Sequence, residues 1–361
     1  MILLLGASGY IGRAFSAELS RRKYPFQPLA RATLDYTNFD LFFDYVRKTK
    51  PRFIINAAGI TGGSNTDSCE SARGETLQAN AVLPHMLGRV CLMTNTPWGH
   101  VSSGSIYSGA KITEDNSTTL ARDLNRPELR KLFSEHPERF HGFTELDEPN
   151  FSFRSPPSDF YNGSKALGEE AIRGVPQCYI WRLRIPFDQF DHPRNYLTKI
   201  QHSPAIHDAV NSLSHRSDFV RACLDLWERK ADFGTYNVVN PGAVTTRKVV
   251  EKIIRILKPS RSFEFLDDND QICSSGMDAP RANCILDASR LLRTGIKMRT
   301  VEEALDDSLN RWQFTGESLR LAVGLDQLPS DRFKEHWSEP ALSHPSELLD
   351  AIASTRQWLR A

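Results

Sequence analysis

The sequence predicts an α/β protein built on a doubly wound parallel sheet. Apolar runs of strand length alternate with amphipathic helical stretches through the first half of the 361 residues. The first run, Ile2–Ala7 (ILLLGA), passes directly into glycines that open a helix. Strand, helix, strand at this spacing makes βαβ units, whose strands lie parallel.

The elements follow in order. After ILLLGA, residues 12–23 have helical character and end in the basic Arg21-Arg22-Lys23, which suits a helix C-terminus. PFQPLARA (25–32) is a second strand, weakened by two prolines. FDLFFDYVRKTK (39–50) is an amphipathic helix stopped by Pro51, and RFIINAAG (52–59) is the third strand. GETLQANAVLPHMLGRVCLM (74–93) is a helix despite Pro84, and WGHVSSGSIY (98–107) is the fourth strand. Residues 160–173 form a helix before QCYIWRLRIP (177–186), the fifth strand. GTYNVVN (234–240) is a further strand reached after a long excursion.

Two stretches break this rhythm. Residues 110–148 are polar and charged with helical pieces such as RPELRKLFSEHPERF, and an insert that long is functional or separately structured. Residues 312–361 form a polar extension ending in a helix at 345–360, placed to cap the domain or mediate dimer contacts. The expected organisation is a dinucleotide-binding domain over 1–185, a smaller lobe over 186–311 and the extension over 312–361. The insert and the returning strand near 234–240 belong to the first.

Composition narrows the partners. Lys+Arg is 45 against Asp+Glu 44, which points away from nucleic acid and membrane surfaces. No apolar run approaches membrane-spanning length, and MILLLGASG lacks the basic start and cleavage site of a signal peptide. The six cysteines are scattered without a C-x-x-C, so neither a metal nor a disulfide framework is expected, and the cytoplasm is the natural location.

GASGYIG sets glycines at 6, 9 and 12 in the first βα turn. Gly6 permits the turn, Gly9 lets backbone approach a pyrophosphate, and Gly12 lets helix and strand pack closely, with Ser8, Tyr10 and Ile11 completing the loop. That is the Rossmann-type signature of a dinucleotide. Residues 19–34 contain no Asp or Glu for a ribose 2′-hydroxyl, whereas Arg31 sits near the end of the second strand and suits a 2′-phosphate. NADPH is therefore favoured, with NADH possible. Asp35, beside Tyr36, fits either the adenine edge or a helix N-terminus.

FYNGSKALGEE (160–170) then gains meaning. Tyr161 and Lys165 stand one helical turn apart on one face. In isolation that is a common surface pair. Beside a dinucleotide cradle it fits a phenol that donates a proton and a cation that lowers its pKa. Ser103, at the end of the fourth strand, is placed to hold the substrate oxygen. Asn56, Ala57, Ala58 and Gly59 shape the third βα turn against the cofactor, and Asn80 supports a water or backbone of the site. Arg184 sits beside a strand end, as a cofactor contact or a core-edge ion pair. Arg194 and Asn195 grip a diphosphate or form a surface turn.

GASGYIG, NAAG (56–59), SSGSIY (102–107) and YNGSK (161–165) together resemble the extended short-chain dehydrogenase/reductases of the nucleotide-sugar type. Within that group the chain is most similar to the dTDP-4-dehydrorhamnose reductases and, more closely, to the plant-type bifunctional 3,5-epimerase/4-reductases of UDP-rhamnose synthesis. The closer likeness rests on AAGITGGSNTDSCES, EPNF (148–151), RLRIP (182–186) and HPRNYLTKI (192–200). It covers about residues 1–255 apart from the insert.

The resemblance implies Ser103, Tyr161 and Lys165 as the catalytic set, a substrate-binding lobe built mainly after Pro186, and a homodimer paired through helices 74–93 and 160–173. It implies NADPH-dependent reduction of a nucleotide-diphosphate 4-keto-6-deoxysugar. The sequence departs from the family at Gly104, where dehydrorhamnose reductases carry Asp and the plant-type enzymes carry Gly. At Ser105 the bifunctional enzymes carry the cysteine expected as epimerisation base, whereas the matching acid is kept as Lys199. Competing readings are a 3,5- or C4-epimerase or a dehydratase on the same fold, and a non-catalytic cofactor-sensing regulator. Gly104 and Ser105 argue against a dehydratase, and the intact tyrosine and lysine argue against a regulator.

Overall fold

The central sheet of the computed structural model has six parallel strands. The structure describes residues 1–62, 66–115, 117–266 and 281–313. β1 (Ile2–Leu5), α1 (Tyr10–Arg21), β2 (Phe26–Leu29), α2 (Phe39–Thr49) and β3 (Phe53–Asn56) form the first wing. The short helices α3 (Ser68–Ser71) and α4 (Arg73–Leu77), a π-helical turn at Gln78–Val82 and α5 (Leu83–Thr94) lead to β4 (Trp98–Ser103). The insert adds β5 (Ala110–Glu114), β6 (Ser117–Ala121), α6 (Pro127–Glu135) and β7 (Phe140–His141). Next come α7 (Phe160–Ala171), β8 (Cys178–Leu183), β9 (Pro186–Phe187), α8 (Tyr196–His202), β10 (Val210–Asn211), β11 (Ser214–His215) and α9 (Arg216–Glu228). β12 (Gly234–Asn237) returns to the sheet, followed by β13 (Val244–Thr245), α10 (Thr246–Leu257) and two helices at Ser289–Arg293 and Val301–Asn310.

The strand order is β2-β1-β3-β4-β8-β12. This is the doubly wound Rossmann-type arrangement that the alternation predicted. β1 explains why it needs helices on both sides. Its four residues are all buried, with Ile2 and Leu4 packed among Phe15, Phe53, Trp181 and Phe219, and Leu3 and Leu5 among Phe42, Val46, Leu87 and Trp98. β2, carrying Pro28, lies at the sheet edge, where a missing N–H is tolerated.

Differences from the expected elements have local causes. The helix over 74–93 widens into a π turn because Pro84 has no N–H to return to the Asn80 carbonyl. The strand expected over 98–107 stops at Ser103, where Gly104–Ile106 form a 3₁₀ turn. The strand expected over 177–186 ends at Leu183, and Ile185 takes a positive φ of 38° as the chain leaves the sheet. The insert is a three-stranded antiparallel sheet, β6-β5-β7, joined by α6. Its strands escaped a sequence reading because β6 (STTLA) is almost wholly exposed and shows no apolar alternation.

A separate apolar cluster, including Phe187, Leu197, Val249, Ile253, Leu305 and Trp312, lies among the segments after Pro186. The expected helix at 345–360 lies outside the described residues. Among the described residues, no helix is long and apolar enough to cross a membrane.

Candidate active site

Parallel strands end on one edge, and the chain order reverses between β1 and β3. In such sheets this edge, at this reversal, is where ligands bind. The glycine loop sits there. Gly6 has φ +74°, and a Cβ on it would lie 2.5 Å from the Ala58 nitrogen. A Cβ on Gly12 would lie 1.9 Å from the Gly6 oxygen. Both positions therefore exclude a side chain for space, and Gly6 for conformation as well. Ser8 and Gly9 are exposed at the start of α1, a helix end whose first N–H groups have no partner one turn back in the helix.

Tyr10 differs from expectation. Its ring is buried, stacked 4.7 Å from His192 and 4.3 Å below the Arg216 guanidinium, and its hydroxyl donates to Asp188 at 3.2 Å. Arg216 pairs with the same carboxylate at 2.6 Å. The side chain thus latches the loop to the segment after β9, and only its backbone belongs to the cradle; Ile11 is half-buried against the core.

Arg31 stands exposed just past β2. Asp35 accepts the Thr37 N–H at 3.0 Å and hydroxyl at 2.5 Å on one carboxylate oxygen, Oδ1, and so shapes the turn. Tyr36 is buried. Asn56 accepts from Ala58 N–H at 3.1 Å and contacts His100 Nδ1 at 3.0 Å, which bends the chain through Ala57, Ala58 and Gly59. Asn80, carried by the π turn, accepts from Ile60 N–H at 3.0 Å and donates to the Ile60 carbonyl at 2.8 Å and Ser164 at 3.1 Å. It braces backbone beside the site and spends its own amide doing so. A Cβ on Gly59 would lie 3.0 Å from Asn80 Oδ1 and 3.4 Å from Lys165 Nζ, which brings this turn against α7.

α7 begins at its N-cap Asp159 and carries Tyr161 and Lys165 to this edge. Lys165 is 4% exposed and donates to the Val101 carbonyl at 3.1 Å. Burial pulls its ammonium down to about 8, against the opposing field of Glu169. Tyr161 lies beside Ser103. Its phenol is pushed up to about 12, first by burial, with Ser103 acting the other way. In this structure desolvation is the largest influence on the phenol, and Lys165 is turned to a backbone carbonyl.

Ser103 and Ser105 hydroxyls are 2.6 Å apart, and Ser103 also accepts from the Ser105 N–H at 3.3 Å. Ser105 donates to Asn162 Oδ1, and Asn162 donates to Asp159 at 2.8 Å from its amide and 2.6 Å from its backbone. Burial pushes the Asp159 carboxyl up to about 6, with Glu70 and Asp67 adding to it and Arg281 opposing. Behind Lys165, Glu169 pairs with Arg182 at 2.6 Å and accepts from Ser102, all buried. Sequence reading passed over Asn162 and Asp159, although an acid immediately before a helical pattern is a cap signal.

The segments after Pro186 face this edge with cations. Arg194 is exposed and donates to Thr61 at 2.7 Å and the Gly62 carbonyl at 3.1 Å. Lys199 lies on α8, its ammonium held below its ordinary pKa by desolvation and then by Arg194 and Arg281. Asn195 is buried and caps α8 while its amide donates to the Asp188 and Phe190 carbonyls, so it builds the turn and leaves nothing for a phosphate. Arg184 is buried, donates to Asn211 at 2.7 Å and to the Ala282 carbonyl, and makes no ion pair among the described residues.

Residues 1–128 match the family described as RmlD substrate binding domain. A bifunctional dTDP-4-dehydrorhamnose 3,5-epimerase/dTDP-4-dehydrorhamnose reductase of Arabidopsis thaliana is 26% identical over 261 residues, covering 72% of this chain and 77% of that protein. A trifunctional UDP-glucose 4,6-dehydratase/UDP-4-keto-6-deoxy-D-glucose 3,5-epimerase/UDP-4-keto-L-rhamnose-reductase of the same plant is 25% identical over 304 residues, and the chain spans only 41% of its length. The UDP-rhamnose synthase of Acanthamoeba polyphaga mimivirus superposes with a TM-score of 0.71 at 21% identity, covering 85% of this chain and 98% of that one. A dTDP-4-dehydrorhamnose reductase of Bacillus anthracis, solved in complex with NADP, superposes with a TM-score of 0.64 at 19% identity, covering 86% and 97%.

Proposed function

We propose that this chain, which resembles the extended short-chain dehydrogenase/reductases that act on nucleotide sugars, is an NADPH-dependent reductase of a nucleotide-linked 4-keto-6-deoxysugar. One observation carries the reading: Tyr161, Ser103 and Lys165 converge at the sheet edge that also bears a glycine loop closed to any side chain. The residues fit NADPH. The Ser8–Gly9 backbone would hold the pyrophosphate, exposed Arg31 the 2′-phosphate, and the turn through Gly59 the face beside Lys165. When bound, NADPH supplies the hydride.

The chain's own residues supply the rest. Tyr161, protonated throughout the physiological range, gives its proton to the ketone oxygen as negative charge develops there. Ser103 and the ammonium of Lys165 hold that corner polar while the buried surroundings exclude water. Arg194, Lys199 and Arg281 form a cationic rim suited to a diphosphate, the chemistry that guanidinium and ammonium groups bind best.

The segments 186–311 are read as the substrate lobe of a cytoplasmic enzyme. Val82 and Leu167, exposed on the π turn and α7, offer an apolar face for pairing with a second copy. Light scattering at micromolar concentration should give a dimer, and a monomer would remove that part. The activity is tested with UDP-, dTDP-, GDP- and CDP-4-keto-6-deoxyhexoses, each assayed for NADPH oxidation. Turnover of at least one is expected. Binding of NADPH without turnover of any would overturn the reading.

A further inference from the structure

Tyr10 stands in the glycine loop, yet its side chain is held by segments after Pro186. Its hydroxyl donates to Asp188 at 3.2 Å, its ring stacks on His192 at 4.7 Å, and the Arg216 guanidinium lies 4.3 Å from the ring centre. Asp188 is the hub and is fully buried. Its Oδ1 accepts from Tyr10, from the Phe190 N–H at 3.2 Å and from the Asn195 amide at 2.9 Å, and its Oδ2 pairs with Arg216 at 2.6 Å. A carboxylate accepts about four bonds, so Asp188 has no capacity left for a ligand and works by holding its neighbours. Two of the three rim cations trace back to it. Asn195, whose amide Asp188 holds, caps α8, and the Lys199 N–H closes the first turn on the Asn195 carbonyl at 3.0 Å. Arg194 is placed through His192, whose Nδ1 accepts the Arg194 backbone N–H at 3.0 Å while its ring lies on Tyr10.

We propose that Tyr10 is a positioning residue for the nucleotide sugar: from within the dinucleotide loop it fastens the turn from Asp188 to Asn195, so that Arg194 and Lys199 stand ready for the diphosphate. The proposal rests on the reading of those two cations as the diphosphate rim. The dinucleotide needs only the backbone of this loop, the N–H groups at the start of α1, which any residue at position 10 supplies except proline. The nucleotide sugar needs its cations in fixed places, because pairing with phosphate oxygens is geometric and a loose turn must be ordered at the moment of binding. Its affinity falls by the fraction of molecules in which the turn is in place. The loop thus serves both ligands, with its backbone for one and the Tyr10 side chain for the other. A tyrosine that was structural alone would lower stability and either leave both affinities alone or weaken both together.

The test compares two affinities. Calorimetry titrates UDP, dTDP, GDP and CDP into the protein saturated with NADP⁺, and fluorescence titration follows NADPH. At least one nucleoside diphosphate should bind the unmutated protein. Tyr10→Leu removes both hydroxyl and ring, and should weaken that binding by about tenfold or more, the size of one hydrogen bond to a charged group. Tyr10→Phe keeps a ring between His192 and Arg216 and should weaken it less. NADPH affinity should stay unchanged in both. Nucleotide affinity unchanged in Tyr10→Leu, or nucleotide and NADPH weakened by the same factor, would overturn the proposal and leave the reductase reading standing. If Tyr10→Leu does not fold, Tyr10→Phe decides: weaker nucleotide binding with NADPH unchanged supports the proposal, and unchanged nucleotide binding overturns it. An unmutated protein that binds none of the four diphosphates would remove the rim itself, and the proposal with it.

Discussion

Lys165 is a group whose charge costs stability and serves the proposed chemistry. It is 4% exposed, and burial brings it from 10.5 to about 8. At 1.36 kcal/mol per pH unit, holding the ammonium charged in the folded protein costs about 3 kcal/mol. The folded pKa lies below the unfolded one, so the unfolded chain binds more protons between about pH 8 and 10.5. Stability therefore rises with pH across that window, and the full cost is felt below it. Lys165→Met keeps most of the stem and removes the charge. At pH 7 it should raise stability by about 2 kcal/mol, after about 1 kcal/mol for the lost bond to Val101. Urea unfolding at pH 7 and pH 10.5 measures this: the variant should lead at pH 7, and the lead should close by pH 10.5. The same variant should lose at least tenfold in NADPH oxidation, a trade of activity for stability. In the unmutated protein, reduction should fall about tenfold per pH unit above about pH 8. A variant less stable than the parent at pH 7, or a gap independent of pH, would refute the reasoning.

Tyr161→Phe should lower kcat by about 10²- to 10⁴-fold, the usual contribution of a positioned acid, while NADPH affinity by fluorescence titration stays unchanged. Arg31→Ala should weaken NADPH while leaving NADH affinity alone; equal loss for both, or tighter NADH binding by the unmutated protein, removes the 2′-phosphate role. Epimerisation beside the ketone needs a base, and Ser105 has its hydrogen committed to Asn162 with no histidine among its bonded partners. Incubation with a 4-keto-6-deoxyglucose nucleotide in deuterated water without NADPH should therefore give no rapid deuterium uptake at C3 or C5; rapid uptake lost in Ser105→Ala would refute this.

The fold was legible because a parallel sheet covered on both faces leaves a strong trace. β1, β3 and β4 are buried at every position, and β1 (ILLL) and the first three residues of β3 (FII) read as apolar runs. Glycines 6 and 12 were legible for a related reason, since each stands where backbone contact leaves no room for a Cβ. The insert was not, because β6 is exposed and carries no periodic signal, and the alternation of its partner β5 (AKITE) runs over only five residues. Element ends slipped where a single residue decides: Pro84 for the π turn, Gly104 for the close of β4.

In the site, residue types were legible and their commitments were not. Tyr161 and Lys165 announce themselves by helical spacing, but spacing gives neither the Val101 carbonyl nor burial, which is the largest influence on the phenol. Asp35, Asn195 and Arg184 had the right chemistry at plausible positions, and each is engaged in part or whole by its surroundings: Asp35 through one carboxylate oxygen, Asn195 through its cap and amide, and Arg184 through an amide and a carbonyl, while its buried Nε keeps no hydrogen-bond partner among the described residues. A polar side chain buried in a folded protein is almost always spoken for. What separates a ligand-binding residue from a structural one is thus whether a donor is left over, and that is a property of partners far apart in the chain. Asn162 shows the reverse case. It looks like filler between the tyrosine and the glycine, and its two bonded neighbours, Asp159 three residues before it and Ser105 fifty-seven residues before it, are what give its amide an orientation. Only Asp159 lies within reach of a local pattern, so half of that arrangement could be read from the sequence and the half that touches the chemistry could not.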